Sequence, residues 1–167
     1  AKQSHAGAQY ELGFFYYNGD GVERDLLQTA HWWTKAAEQG HTGAQHNLGF
    51  FYYNGDGVPQ DVSQATFWFE KAAGQGHVKS LITLGEILSD KELDQGTQAR
   101  ATACFMLAAC NGANPDEVNQ HIPCRWGNRL SFVVAFTEAA AQNPDNTARE
   151  ILMQIAGLHP QSPPNPA

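Results

Sequence analysis

A block of 36 residues occurs twice in direct succession with no gap. His5–Gly40 reads HAGAQYELGFFYYNGDGVERDLLQTAHWWTKAAEQG, and His41–Gly76 reads HTGAQHNLGFFYYNGDGVPQDVSQATFWFEKAAGQG. A chain that repeats at this length builds one small unit per block and stacks the blocks, because one unit alone cannot bury its apolar faces. A third block, His77–Gly112, keeps the length and retains Leu84, Gly85, Phe105 and the Ala108-Ala109 pair. Its turn has become Ser89-Asp90-Lys91-Glu92-Leu93-Asp94 in place of Asn-Gly-Asp-Gly-Val. The repeats therefore divide the chain at 5–40, 41–76 and a degenerate 77–112.

The period inside each block is helical. Ala8, Leu12, Phe15 and Tyr16 fall at i, i+4, i+7 and i+8 and predict the core stripe of a first helix. Gly13 recurs as Gly49 and Gly85. Glycine inside a helix costs about 1 kcal/mol against alanine, so its return in every block predicts a second helix crossing closely there. The Asn-Gly-Asp-Gly turn ends the first helix, and Asp25 and Asp61 are candidate N-caps for the second. Thr29, Trp32, Trp33 and Ala36 form its apolar stripe, matched by Ala65, Trp68, Phe69 and Ala72. Each block reads as a helical hairpin.

Ala8, Leu12, Gly13, Tyr16, Gly19, Gly21, Val22, Asp25, Trp32, Lys35, Ala36, Ala37 and Gly40, with their counterparts 36 residues on, resemble the Sel-1-like repeat, a relative of the tetratricopeptide repeat. The third block departs from this pattern, with Leu88 for the Tyr and Cys104 for the Trp. The resemblance extends over 3 × 36 = 108 of the 167 residues. It implies an all-α fold, a right-handed α–α superhelix (solenoid) with hairpins near 6–39, 42–75 and 78–111. It also implies a non-catalytic module that binds a partner protein. Sel-1-like arrays include adaptors, bacterial regulators, secreted host-interaction proteins and immunity proteins against type VI secretion effectors. A small acidic immunity protein suits a basic effector surface. The alternatives are a cell-wall or β-lactam hydrolase, since some arrays of this kind are credited with β-lactam chemistry, and a cytosolic adaptor or scaffold.

Residues 113–158 do not repeat and are expected to supply capping helices, with Arg129–Gln142 and Thr147–Leu158 the best candidates. Residues 159–167, with Pro160, Pro163, Pro164 and Pro166, read as a disordered tail. The net charge of −7, with ten basic residues scattered among seventeen acids, argues against a nucleic-acid partner. No apolar run reaches the roughly 18 residues that span a bilayer. Lys2, Gln3, Ser4 and His5 lead straight into helical pattern, so the chain is expected to be either cytoplasmic or a mature form whose leader is absent. A periplasmic or secreted monomer is the expectation the family resemblance favours.

Neither a nucleophile elbow, a phosphate-binding glycine loop nor His-Glu-x-x-His occurs. Cys104, Cys110, His121 and Cys124 match no standard zinc spacing. No catalytic residue, metal or cofactor is expected. Three cysteines allow one bridge and one thiol. Cys104 stands at the core position of Trp32 and Trp68, and six residues of helix separate it from Cys110 by about 9 Å. A disulfide, if the protein is exported, is therefore expected between Cys110 and Cys124.

The candidate partner-binding residues lie on the first helices. Tyr10, Phe14 and Tyr17 fall roughly opposite the predicted stripe, repeated as His46, Phe50 and Tyr53; the third block has Ile82, Glu86 and Ser89 there. First helices line the concave surface of such arrays, so an aromatic strip grading into an acidic end at Glu86 and Ser89 is expected. The alternative is that some of these residues pack between adjacent hairpins.

Overall fold

A computed structural model describes residues 2–90, 95–114, 118, 120 and 147–158. Its described elements are helices: α1 (Lys2–Asn18), α2 (Leu26–Glu38), α3 (Thr42–Asn54), α4 (Val62–Gly74), α5 (Val78–Asp90), α6 (Gln95–Cys110) and α7 (Thr147–Ala156). The chain divides into two compact units, Ala1–Ala72 and Ala73–Ala167.

In the first unit the repeat is reproduced down to single hydrogen bonds. Gly19 and Gly55 take the left-handed conformation at φ 80° and 83°, and their N–H groups donate to Phe15 O and Phe51 O, each at 2.8 Å. Glycine enters this region without the Cβ penalty, which closes the first helix at a fixed residue. Asp25 N donates to Tyr16 O at 2.9 Å and Asp61 N to Tyr52 O at 2.8 Å, folding each turn back on its helix. Both aspartates then cap the second helix: Oδ1 of Asp25 accepts from Leu27 N and Gln28 N, and Oδ1 of Asp61 from Ser63 N and Gln64 N. Even Arg24 and Gln60, unlike in charge, make the same bond, donating to Tyr17 O and Tyr53 O.

The expected close crossing at the repeated glycine is present. A Cβ on Gly13 would lie 2.3 Å from Cδ1 and Nε1 of Trp33, and one on Gly49 would lie 2.7 Å from Cε1 of Phe69. Trp33 and Phe69, at 2% and 0% exposure, are the core residues of their helices. Trp32 and Trp68, their neighbours, are only half-buried, and both have a buried Nε1 without an acceptor.

One expectation is overturned. Ala8 and Phe15, placed in the core stripe of α1, are exposed, and Leu12 and Tyr16 are half-buried. The face turned to Trp33 is instead that of Gly13, Tyr10, Phe14 and Tyr17. In α3 the counterparts of the expected stripe, Ala44, Leu48 and Phe51, are buried, and they pack with Ala30, Trp33, Ala36 and Ala37 of α2. The predicted stripe thus meets the hairpin ahead, whereas the glycine face meets the helix that follows.

In the second unit α5 and α6 form a hairpin in which Phe105 occupies the place of Trp33 and Phe69. A Cβ on Gly85 would stand 2.7 Å from its Cζ. Helix α6 starts at Gln95, three residues before the 26 + 72 = 98 that two full repeats from Leu26 would give. Residues 91–94, ahead of it, lie outside the described residues. Leu152, Met153, Ala156 and Leu158 of the α7 segment join the α6 core, and Arg100 Nε donates to Ala156 O at 3.2 Å. The segment thereby covers part of the apolar surface of α6. The helix expected over 129–142 and the tail 159–167 lie outside the described residues.

Candidate interaction surface

Two aromatic clusters hold five of the six candidate residues of the first unit, Tyr10, Phe14, Tyr17, His46 and Phe50. Around Trp33, Phe14 stands at 5.2 Å, Tyr17 at 5.7 Å and Tyr10 at 6.3 Å between ring centroids. The indole Nε1 donates to Tyr10 O at 3.2 Å, fixing the ring against α1. Around Phe69, Phe50 lies at 5.1 Å and His46 at 5.8 Å. The edge-to-face geometry of Phe14 on Trp33 and Phe50 on Phe69 is the arrangement that ring quadrupoles favour. Of the six residues, Tyr10, Phe14 and His46 are half-buried, and Tyr17, Phe50 and Tyr53 are exposed. The strip is thus an exposed edge on an aromatic base, in keeping with the reading that some members pack between helices.

Helix ends tie the base together. His41 caps α3, with Nδ1 accepting from Ala44 N at 3.1 Å, and its ring lies 4.3 Å from that of Tyr10. An accepting Nδ1 requires the unprotonated nitrogen, and burial lowers the His41 pKa, an effect the nearby Glu11 opposes. Burial likewise raises the Tyr10 phenol, whose oxygen accepts from Asn47. His77 repeats the cap in the second unit, accepting at Nδ1 from Ser80 N at 3.3 Å, with its pKa lowered by burial and then by Lys79.

Glu86, on α5, is exposed as expected. Ser89 is not available to a partner: it is 4% exposed and its Oγ donates to Gly85 O at 2.6 Å. A short hydroxyl side chain readily turns back to the carbonyl four residues before it, which spacing alone does not reveal. Cys104 is buried and Cys110 half-buried. Cys124, its expected disulfide partner, lies outside the described residues, as does His121.

Trp33 as the hub of the strip was not singled out from sequence, although its register with Gly13 carried the signal. Among the described residues no group of His, Cys, Asp or Glu is arranged to hold a metal ion, and no helix is long and apolar enough to cross a membrane.

The fold now has a class: an all-α, right-handed solenoid of repeated helical hairpins. The Sel1 repeat family model matches residues 6–41 and 42–77. Among solved structures, a Sel1 repeat protein from Oxalobacter formigenes is 30% identical with a TM-score of 0.61; the match covers 69% of this chain and 85% of that one. A protective antigen of uropathogenic Escherichia coli with an SLR fold is 31% identical with a TM-score of 0.66. That match covers 92% of this chain but only 34% of the antigen. A search of the curated proteins gave no match. The chain belongs to the Sel1 repeat family. Sel1 repeats generally serve as non-catalytic scaffolds for binding other proteins.

Proposed function

We propose that this protein binds a single partner protein through the first-helix surface of its repeats, the concave side in arrays of this kind. Tyr17, Phe50 and Tyr53 make the contact, with Phe14 packed on Tyr17 and His46 on Phe50. The observation that carries the reading is the exposed edge of three aromatic residues, at 39%, 36% and 42% exposure, on a base already packed against Trp33 and Phe69. Rings fixed before binding lose little entropy on contact and offer large area, the chemistry of interface hot spots. The net charge of −7 favours a basic partner surface, and we take the partner to be a secreted toxin or effector that this chain, a periplasmic or secreted monomer, neutralises.

Affinity capture with the intact chain and mass spectrometry identify the partner. Tyr17→Ala, Phe50→Ala and Tyr53→Ala are then titrated singly against it. At least two should weaken binding by more than about 1 kcal/mol with the helical spectrum and melting preserved. Full affinity in all three places the site elsewhere. Co-expression with the partner separates the finer claim: protection of the cell supports immunity, and continued toxicity leaves protein binding but removes that role.

A further inference from the structure

Each of the first two repeats places an exposed tyrosine near the end of its first helix, Tyr17 on α1 and Tyr53 on α3. The residue seven positions on folds back and donates to its carbonyl: Arg24 Nε to Tyr17 O at 3.1 Å, Gln60 Nε2 to Tyr53 O at 2.8 Å. The backbone bond is the same, but the charge is not. The Arg24 guanidinium carbon stands 5.7 Å from the centre of the Tyr17 ring, within the roughly 6 Å at which an aromatic face holds a cation. Lys35 likewise lies over Trp32 at 4.7 Å and Lys71 over Phe67 at 5.4 Å. Gln60 brings no charge to Tyr53. Among the described residues no Lys or Arg stands over the ring of Tyr53, or over that of Phe50 three residues before it.

We infer that Tyr53 receives an arginine side chain of the partner protein, in the position that Arg24 takes over Tyr17. The inference rests on the reading that the edge of Tyr17, Phe50 and Tyr53 is the partner site, and it names the group that the second repeat recognises. The charge around Tyr53 suits a cation. From residue 36 to residue 70 the chain has no Lys or Arg, and it carries Glu38, Asp56, Asp61 and Glu70. Asp61 N donates to Tyr52 O at 2.8 Å, which folds the turn bearing Asp56 and Asp61 back onto the end of α3. Carboxylates held there draw a cation toward the ring face. A guanidinium is planar and weakly hydrated, so it stacks on the ring and keeps its N–H groups for the carboxylates. Tyr17 is already occupied by Arg24, so two nearly identical first helices present different faces to a partner. Gln60 is the residue that sets the difference.

The test exchanges the two residues in the full chain. The blocked tripeptide acetyl-Gly-Arg-Gly-amide and its neutral citrulline counterpart are titrated while the tyrosine ring resonances are followed by NMR. The arginine peptide should shift the Tyr53 ring and leave Tyr17 unmoved, and the citrulline peptide should shift neither. Gln60→Arg, which supplies the cation internally, should abolish the Tyr53 response. Arg24→Gln, which uncovers Tyr17, should confer the response on that ring. An unmoved Tyr53 ring, or equal shifts with the citrulline peptide, overturns the inference. Against the captured partner, Gln60→Arg should weaken binding by at least about fivefold with the helical spectrum preserved. Loss of affinity in Tyr53→Ala but not in Gln60→Arg keeps the aromatic edge as the site and overturns the arginine contact. Full affinity in both variants removes Tyr53 from the partner site, and the arginine contact with it.

Discussion

Substituting alanine for Gly13 and for Gly7 applies the same chemical change twice to one helix and should have opposite effects. In a helix interior, alanine is favoured over glycine by about 1 kcal/mol. At Gly7 nothing lies within 4 Å of the new Cβ, so Gly7→Ala should stabilise by up to about 1 kcal/mol. At Gly13 the Cβ would stand 2.3 Å from Cδ1 and Nε1 of Trp33, against about 3.5–4.0 Å for an ordinary carbon contact. The indole must move by more than about 1 Å, but it is enclosed by Phe51 at 4.9 Å and Phe14 at 5.2 Å. Forcing an extra methyl into such a core costs roughly 1–3 kcal/mol, and losing the Trp33 bond to Tyr10 O adds about 1 kcal/mol. After the propensity gain of about 1 kcal/mol, the net loss is about 1–3 kcal/mol. For a chain of 167 residues that lowers the melting temperature by roughly 2–4 °C per kcal/mol. Urea and thermal melts followed by circular dichroism read both variants. If Gly13→Ala raises the midpoint as Gly7→Ala does, the crossing of α2 over Gly13 is wrong.

Phe69→Ala should cost roughly 3–5 kcal/mol, more than Trp68→Ala, because Phe69 is the fully buried member of the pair; the reverse order in urea melts would mean that the wrong residue has been placed in the core. Burial lowers the pKa of His41 and His77, so the unfolded chain binds protons that the folded chain resists. Stability should be complete above the ordinary histidine pKa of about 6.5 and fall as the pH drops through it toward the lowered folded values. His41→Asn keeps an N-cap without titrating, and the urea midpoint of that variant should fall less between pH 7.5 and 5.5 than in the native chain; an unchanged slope refutes the role of His41. Cys110 and Cys124, if the protein is exported, should close a segment of 124 − 110 + 1 = 15 residues, worth roughly 3 kcal/mol in the chain-entropy model; three alkylatable thiols in exported protein, found by non-reducing peptide mapping, would refute the bridge.

The hairpins were legible because their signals are local. Gly19 can end α1 and Asp25 can cap α2 whatever lies beyond them, and the return of Gly13 at 49 and 85 announced a crossing helix. The facing of α1 was not legible in the same way. Tyr10, Phe14 and Tyr17 make one apolar arc and Ala8, Leu12 and Phe15 another, as they must on a helix built to have two neighbours. Angular arithmetic places both arcs but cannot say which neighbour each one meets. That information lies in the pairing of Gly13 with Trp33 and in the burial of Ala44, Leu48 and Phe51. The candidate site inherited the ambiguity: Tyr17, Phe50 and Tyr53 are exposed, while Tyr10 and Phe14 brace Trp33 and Ser89 turns inward to Gly85 O.

The glycine turns that close α1 and α3 also govern how the protein ages chemically. Asn18-Gly19 and Asn54-Gly55 are the dipeptides in which the backbone nitrogen of glycine most readily attacks the asparagine carboxamide, releasing ammonia and leaving a succinimide that opens to aspartate or isoaspartate. In the folded chain both reacting groups are engaged. Gly19 N and Gly55 N donate to Phe15 O and Phe51 O, and the amides of Asn18 and Asn54 donate to Asp20 and Asp56, each at 3.2 Å. Attack must wait for the end of the helix to open, so the rate of ammonia loss at each turn reports the local opening of that hairpin. An isoaspartate, once formed, lengthens the backbone by one carbon at the start of the loop that Asp25 or Asp61 must span to reach its helix. Each of the first two repeats therefore contains a slow chemical clock, held back by the same hydrogen bonds that set its turn.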